Sequence, residues 1–132
     1  MTSETDLRGL LSGMRPELNP GRYVFTMAEG DVPSGVTPVV TVAEQEGLTL
    51  VVPQAEADAA GMAYDYVAGW ITLRVHSALS AIGLTAAVSR TLADANLSCN
   101  VVAAFHHDHL FVPYEHAERA VEVLRRLAYE TS

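Results

Sequence analysis

The sequence predicts an α+β fold of two related halves, in which antiparallel sheets carry helices on one face. Short β-branched runs with a period of two alternate with segments of helical period. A motif also recurs: Leu50-Val51-Val52-Pro53, then Ala57, matches Leu110-Phe111-Val112-Pro113, then Ala117, and the second proline follows the first by 60 residues. A strand that ends in Val-Pro and leads directly into a helix is a specific structural motif. Its recurrence indicates a duplicated unit.

The first half opens with a helical pattern. Apolar residues occur at helical spacing within residues 3–14, and Pro16 follows as a stop signal. The run Leu18-Asn19-Pro20-Gly21 is typical of a turn. The sequence therefore predicts a short helix, a turn and then the first strand.

The rest of the first half reads as strands followed by one helix. Alternation and β-branched residues predict strands at 22–27, 37–43 and 48–52, the last two forming a hairpin, with a loop at 30–35. Pro53 suits the first position of a helix, and Gly61 suits its C-terminal cap.

The second half has the order strand, helix, strand, strand, helix. Strands are predicted at 70–76, 99–105 and 109–112, and a helix ends near residue 95. Asn96 suits a left-handed C-cap, with Leu97 as the apolar contact beside it. The last helix starts at Pro113 and is expected to bury Ala117, Ala120, Val121, Leu124 and Ala128.

The net charge indicates which partners the protein can have, and the cysteine content indicates its compartment. Asp and Glu total 16 against 8 basic residues, all of them Arg, for a formal charge of −8. An acidic surface repels phosphate backbones and anionic lipids, so neither nucleic acid nor a membrane is expected as a partner. A single cysteine, Cys99, fits a reducing compartment. Without a signal-peptide pattern or an apolar run of ~20 residues, we expect a cytoplasmic protein.

Several segments of the second half carry a family resemblance. The stretches Ile82-Gly83-Leu84-Thr85-Ala86-Ala87-Val88 and Leu92-Ala93-Asp94-Ala95-Asn96-Leu97-Ser98-Cys99-Asn100 resemble the ACT domain, which has the split βαβ plan of ferredoxin-like folds. More narrowly, residues 70–77, 99–103 and 107–113 are similar to a bacterial family of small tandem-ACT proteins with no assigned activity. The resemblance implies two ferredoxin-like βαββαβ halves at 18–66 and 67–132, after an N-terminal helix at 1–17.

Two departures from that plan are visible in the sequence. The first half has no room for a helix between Met27 and Thr37, so it is expected to be a degenerate unit without its first helix. The second half ends on a helix and lacks a fourth strand. Some other segment, from the first half for example, must then cover that sheet edge, because bare edges invite aggregation.

The resemblance also implies a regulatory sensor of amino acids, and one loop suits a carboxylate. The loop from His76 to Gly83 leads into a helix N-terminus, where backbone N–H groups and the helix dipole attract anions. The predicted ligand-binding residues are His76, Ser77, Ser80, Ile82, Gly83, Leu84, Asn100 and Asp108. The alternative is that Ser80 only caps the helix and Gly83 only permits a turn.

A second polar cluster lies at a hairpin turn. His106, His107, Asp108 and His109 are neighbours in sequence, and such side chains suit zinc and other divalent metals. Since adjacent strand residues point to opposite faces, only His107 and His109 converge, and further ligands such as His76 or His116 are needed. Otherwise Asp108 orders the turn by accepting backbone hydrogen bonds, or the cluster lines the ligand pocket.

Three functions remain open at this level. The first is a non-catalytic regulatory module that binds an amino acid, without a cofactor, and acts as a homodimer or through an unidentified protein partner. The second is a structural, oligomerising protein with a vestigial site. The third is a metal-dependent enzyme that uses the histidine cluster.

Overall fold

A computed structural model describes residues 6–75 and 82–131 of the chain. Its helices and strands follow one another in this order: α1 (Leu7–Gly13), β1 (Arg15–Ala28), β2 (Val40–Glu44), β3 (Gly47–Pro53), α2 (Gln54–Ala59), β4 (Val67–Arg74), α3 (Leu84–Asp94), β5 (Asn100–Ala103), β6 (Asp108–Pro113), a 3-10 turn (Tyr114–His116) and α4 (Ala117–Glu130). Within the described ranges, none of the helices combines the length and apolarity that crossing a bilayer requires.

The chain divides into two compact units. The first contains the residues up to Pro20 together with those from Gly69 onward, and the second is Gly21–Ala68. The domain limits expected from the sequence, 18–66 and 67–132, describe repeats along the chain rather than compact units, and they stay predictions.

In the first unit, the strand order is β1-β4-β6-β5. One core holds buried side chains of α1, α3 and α4 together with those of β4 and β6: Leu10, Leu11, Met14, Ile71, Leu73, Leu84, Val88, Leu92, Leu110, Val112, Ala117, Ala120, Val121, Leu124 and Ala128. The expected buried stripe of α4 is confirmed at all five positions. The first part of β1 therefore supplies the fourth strand that the second half lacks.

The predicted turn at Leu18-Asn19-Pro20-Gly21 is wrong, because β1 continues through it as a strand of 14 residues. Its first part lies beside β4, and its second part pairs with β3 from Tyr23 to Ala28. Proline is tolerated in a strand where its missing N–H costs no ladder hydrogen bond. Pro20 lies where β1 changes from one unit to the other.

The second unit is the smaller one. β2 and β3 form the predicted hairpin, in which Glu44 pairs with Gly47. No helix lies between β1 and β2, as the sequence indicated for a degenerate half. Its core contains buried Val24, Ala28, Val36, Leu50, Val52 and Ala57.

The repeated Val-Pro motif has nearly the same backbone in both copies. Pro53 has φ −56° and ψ 134°, and Pro113 has φ −52° and ψ 133°. Each proline is thus the extended residue that precedes its helix, not the first helical residue as expected. Gly61 and Asn96 adopt the predicted left-handed conformation after α2 and α3, with φ of 69° and 63°.

We expect Gly69→Ala to destabilise the protein by about 1–3 kcal/mol, because a Cβ there would lie 2.6 Å from the Cβ of Ala117. Urea unfolding of the variant measures this loss. Gly30→Ala is the control, since a Cβ at Gly30 meets nothing within 4 Å and the cost should stay within about 0.5 kcal/mol. Equal stability of the two variants would contradict the close approach at Gly69.

Candidate functional site

The N-terminus of α3 is the part of the predicted ligand site that the structure describes. Gly83 precedes the helix with φ 97°, a left-handed conformation that favours glycine. A Cβ at Gly83 would also come within 3.2 Å of the Leu7 side chain, so α1 passes close to this turn. Leu84 is buried in the core, whereas Ile82 is 86% exposed. His76, Ser77 and Ser80 lie outside the described residues.

Asn100 lies on the β5–β6 hairpin. It pairs with Phe111 at the start of β5, and Phe111 stacks on Trp70 with ring centroids 6.3 Å apart. Trp70 lies four residues before Arg74, the end of β4, which is about 13 Å of strand. Asn100 therefore lies on β5 at the level of Phe111 and Trp70 rather than at the end of β4, and its part in a ligand site stays a prediction.

Asp108 lies at the other end of the β5–β6 hairpin, opposite Ala103. The turn is closed by backbone, with the amide of Ala104 donating to the carbonyl of His107 at 3.1 Å. The expected role of the Asp108 carboxylate in ordering this turn stays a prediction. Desolvation raises the pKa of this carboxyl, although the positive charges of His109 and His107 oppose the shift.

A side-chain network that the sequence did not predict lies on β1, β4 and β6 of the first unit. The indole N–H of Trp70 donates to Nδ1 of His109 at 3.0 Å. The hydroxyl of Thr72, a residue only 5% exposed, lies 3.2 Å from the same nitrogen. Asn19 Nδ2 donates to the Thr72 Oγ1 at 2.9 Å and to the Trp70 carbonyl at 3.2 Å. The network fixes the ring of His109 in one orientation.

The network also fixes the protonation of His109. An indole N–H only donates, so Nδ1 of His109 must be unprotonated to accept from Trp70. Desolvation by burial lowers the pKa of His109, and the charges of His107 and Arg74 lower it further, against the opposing effect of Asp108. The neutral imidazole is therefore the form that the fold stabilises.

Neither metal binding nor nucleophilic chemistry finds support in the described residues. In residues 6–75 and 82–131, no three His, Cys, Asp or Glu side chains come together as metal ligands. His107 and His109 were weak candidates for such a site, and Nδ1 of His109 is engaged by Trp70. Burial raises the pKa of the Cys99 thiol to about 11, so little thiolate is available at neutral pH.

Comparison with known families identifies the class of protein. Residues 2–69 match one family model of the ACT domain, and residues 66–126 match a second ACT domain model. The chain belongs to the ACT domain family and contains two such domains in tandem. ACT domains are regulatory modules that generally bind small-molecule ligands such as amino acids, and they often oligomerise.

Solved structures agree with this assignment. A Vibrio cholerae protein of unknown function, described as a possible transport protein, is 42% identical, with a TM-score of 0.84 over 92% of this chain and 95% of that one. The ligand-free regulatory subunit of Thermus thermophilus aspartate kinase is 11% identical, with a TM-score of 0.63 over 85% of this chain and 95% of that one. Clostridium acetobutylicum aspartate kinase is also 11% identical, with a TM-score of 0.64 over 89% of this chain and 34% of that one. The two kinase matches show the fold alone, and no curated protein matches the chain.

We expect the stability of the protein to fall as the pH is lowered from 7 towards 5. The folded state lowers the pKa of His109, so below the usual histidine pKa of 6.5 the unfolded chain takes up the proton first. The contribution of His109 to the free energy of unfolding is therefore fully present above that pH. It is lost as the pH falls to the lowered pKa of the folded state. The measurement is the urea midpoint as a function of pH.

His109→Gln is the matched variant, because a Gln side-chain oxygen can still accept from an indole. Its urea midpoint should depend less on pH between 7 and 5, and the emission of Trp70, the only tryptophan, should lose its pH dependence in that range. An unchanged pH profile in the variant would contradict the assignment. The raised pKa of Asp108 has the opposite sign, because the folded chain then takes up that proton first, so Asp108 cannot be the cause of a loss of stability at lower pH.

Proposed function

We propose that this chain is a regulatory module that binds an amino acid or a similar small carboxylate and catalyses no reaction itself. The observation that carries the proposal is the tandem of ACT domain matches over residues 2–69 and 66–126. The expected small-molecule class follows from what ACT domains generally bind.

The N-terminal end of α3 is the proposed place of the carboxylate. The first N–H groups of a helix have no partner within the helix, and the positive end of its dipole favours an anion. Gly83 itself has no side chain to cap them, and its left-handed φ turns the chain without a Cβ in the way. Ile82 is exposed beside this turn and is available to an aliphatic ligand.

A regulatory module must pass its signal to another surface. Ile82 and Phe105 are large apolar side chains that are 86% and 81% exposed in the first unit, a feature common at protein interfaces. The proposal therefore includes a homodimer or pairing with a separate protein. It also places the chain in the cytoplasm, where a free cysteine stays reduced.

A thermal-shift screen of the common amino acids tests the proposal. A ligand at 100 times its Kd stabilises the native state by about 2.7 kcal/mol, which raises the melting temperature by several degrees. We expect one or a few amino acids to give such a shift. Silence across the whole set would contradict the proposed function.

Two matched charge substitutions locate the site. In Ile82→Glu a carboxylate would lie next to the helix terminus and repel the ligand, so the shift should disappear while the unliganded melting temperature is kept. Phe105→Glu makes the same change at another exposed apolar residue and should retain the shift. Asn100→Ala should retain it as well. Retention of the shift in Ile82→Glu would place the ligand elsewhere.

A further inference from the structure

The first unit contains a cleft that the amino-acid site does not use. It has a volume of about 760 Å³ and is bounded by the start of β1, the end of β4 and the last turns of α4. Volumes of this size are ordinary for small-molecule sites. All the residues that line it belong to the first unit.

The cleft concentrates positive charge on an acidic chain. Arg15, Arg74 and Arg125 line it together with a single acid, Glu17. Three of the eight basic residues therefore meet in one place, although the whole chain carries a formal charge of −8. A guanidinium group is planar, always charged and matched to carboxylate and phosphate oxygens.

Two of the three arginines have no acidic partner. Arg74 donates to both oxygens of Glu17 at 3.0 and 3.1 Å, and this guanidinium holds the pKa of the Glu17 carboxyl below its usual value. Over the described part of the chain, neither Arg15 nor Arg125 pairs with a carboxylate. Among the described residues, the guanidinium groups of Arg15 and Arg125 are therefore not held in an ion pair.

The neighbouring cleft along α4 has the opposite character. It is about 700 Å³ in volume and is lined by Glu115, Glu118 and Glu122, with Arg119 as an additional cation. It shares only Leu18 and Arg125 with the first cleft. The two clefts therefore differ in charge: one acid and three arginines line the first, and three acids and two arginines line the second.

The negative end of the α4 dipole does not exclude an anion from the first cleft. The C-terminus of a helix carries partial negative charge that disfavours anions. Here the Thr131 hydroxyl donates its one hydrogen to the carbonyl of Leu127 at 2.5 Å, and the backbone N–H of Thr131 donates to the same carbonyl at 3.2 Å. Arg125 lies within the same last turns and adds a full positive charge.

Apolar side chains complete the lining. Leu18 and Tyr129 border the same cleft as the arginines and are 37% and 81% exposed, whereas Met14, which also borders it, is buried in the core. An inorganic ion would leave Leu18 and Tyr129 without a contact. An organic anion with a hydrocarbon body would contact both sets of groups.

From this arrangement we infer that the cleft is a second binding site, which takes a small organic dianion, either a phosphate monoester or a dicarboxylate. Arg15 and Arg125 bind its charged groups, and Tyr129 packs against its apolar body. Arg74 is held in place by Glu17 and borders the site. The amino acid bound at the α3 terminus is a different ligand at a different place.

Titration with two probes tests the inference. Phenyl phosphate and succinate are added separately at constant ionic strength, and backbone amide resonances are followed by NMR. We expect saturable shifts confined to residues 12–18, 74 and 125–129, and the tighter probe identifies the ligand type. Removing a charge-assisted hydrogen bond costs enough to weaken binding about tenfold in Arg15→Gln and in Arg125→Gln.

Arg90→Gln is the control, because Arg90 is an exposed arginine on α3 that lines neither cleft. This variant should keep the affinity. Linear, unsaturated shifts, or equal loss of affinity in Arg90→Gln, would overturn the inference in favour of unspecific charge attraction. Ile82→Glu should also keep it, so a failure of the amino-acid proposal is distinguishable from a failure here.

Glu17→Gln provides a test of opposite sign. Exposed ion pairs contribute little to stability, so the variant should fold normally. Loss of the carboxylate frees Arg74 and removes a negative charge from the cleft, and both effects should tighten binding of the better probe severalfold. Weaker binding in Glu17→Gln would contradict the assigned geometry.

Discussion

The pairing of the first part of β1 with β4 is the interaction on which the first unit depends. A sheet that ended at β4 would expose a row of backbone donors and acceptors to other chains. Residues Arg15–Pro20 cover that edge, and Asn19 adds side-chain bonds to Trp70 and Thr72. Because β1 follows α1 directly, the same pairing brings Leu10, Leu11 and Met14 into the core.

That pairing also explains why polar groups gather on β4. Ile71 and Leu73 enter the core with the helices, so Trp70, Thr72 and Arg74 alternate with them on the other side of the strand. Thr72 is almost fully buried, and a buried hydroxyl needs partners. Asn19 and His109 supply them from the two neighbouring strands, which makes the orientation of His109 a consequence of the strand order.

Local features of the fold were predictable from the sequence, and non-local ones were not. The buried stripe of α4, the left-handed Asn96 and the β2–β3 hairpin follow from spacing and turn chemistry within a few residues. The course of β1 through Pro20 depends on β4, more than 45 residues further along the chain. An Asn-Pro-Gly run is typical of a turn, and Gly21 does have a positive φ of 100°, but the partner strand keeps the chain within a strand.

The same difference between local and non-local features explains which parts of the candidate sites were predictable. Glycine before a helical pattern is a local signal, so Gly83 could be expected at a helix terminus. The position of Asn100 could not be expected in the same way, because it depends on the hairpin register with Phe111. Arg15, Arg74 and Arg125 are distant in sequence and meet only through the β1–β4 pairing and the position of α4.

An acidic protein can bind an anion only through short-range contacts. At physiological salt, charges more than about 8 Å apart are largely screened, so the net charge of −8 acts weakly on a ligand already in a cleft. Helix-terminal amides and guanidinium groups act at hydrogen-bond distance, where screening is slight. Both proposals therefore place the anion where Arg side chains or helix-terminal amides lie within hydrogen-bond distance of it.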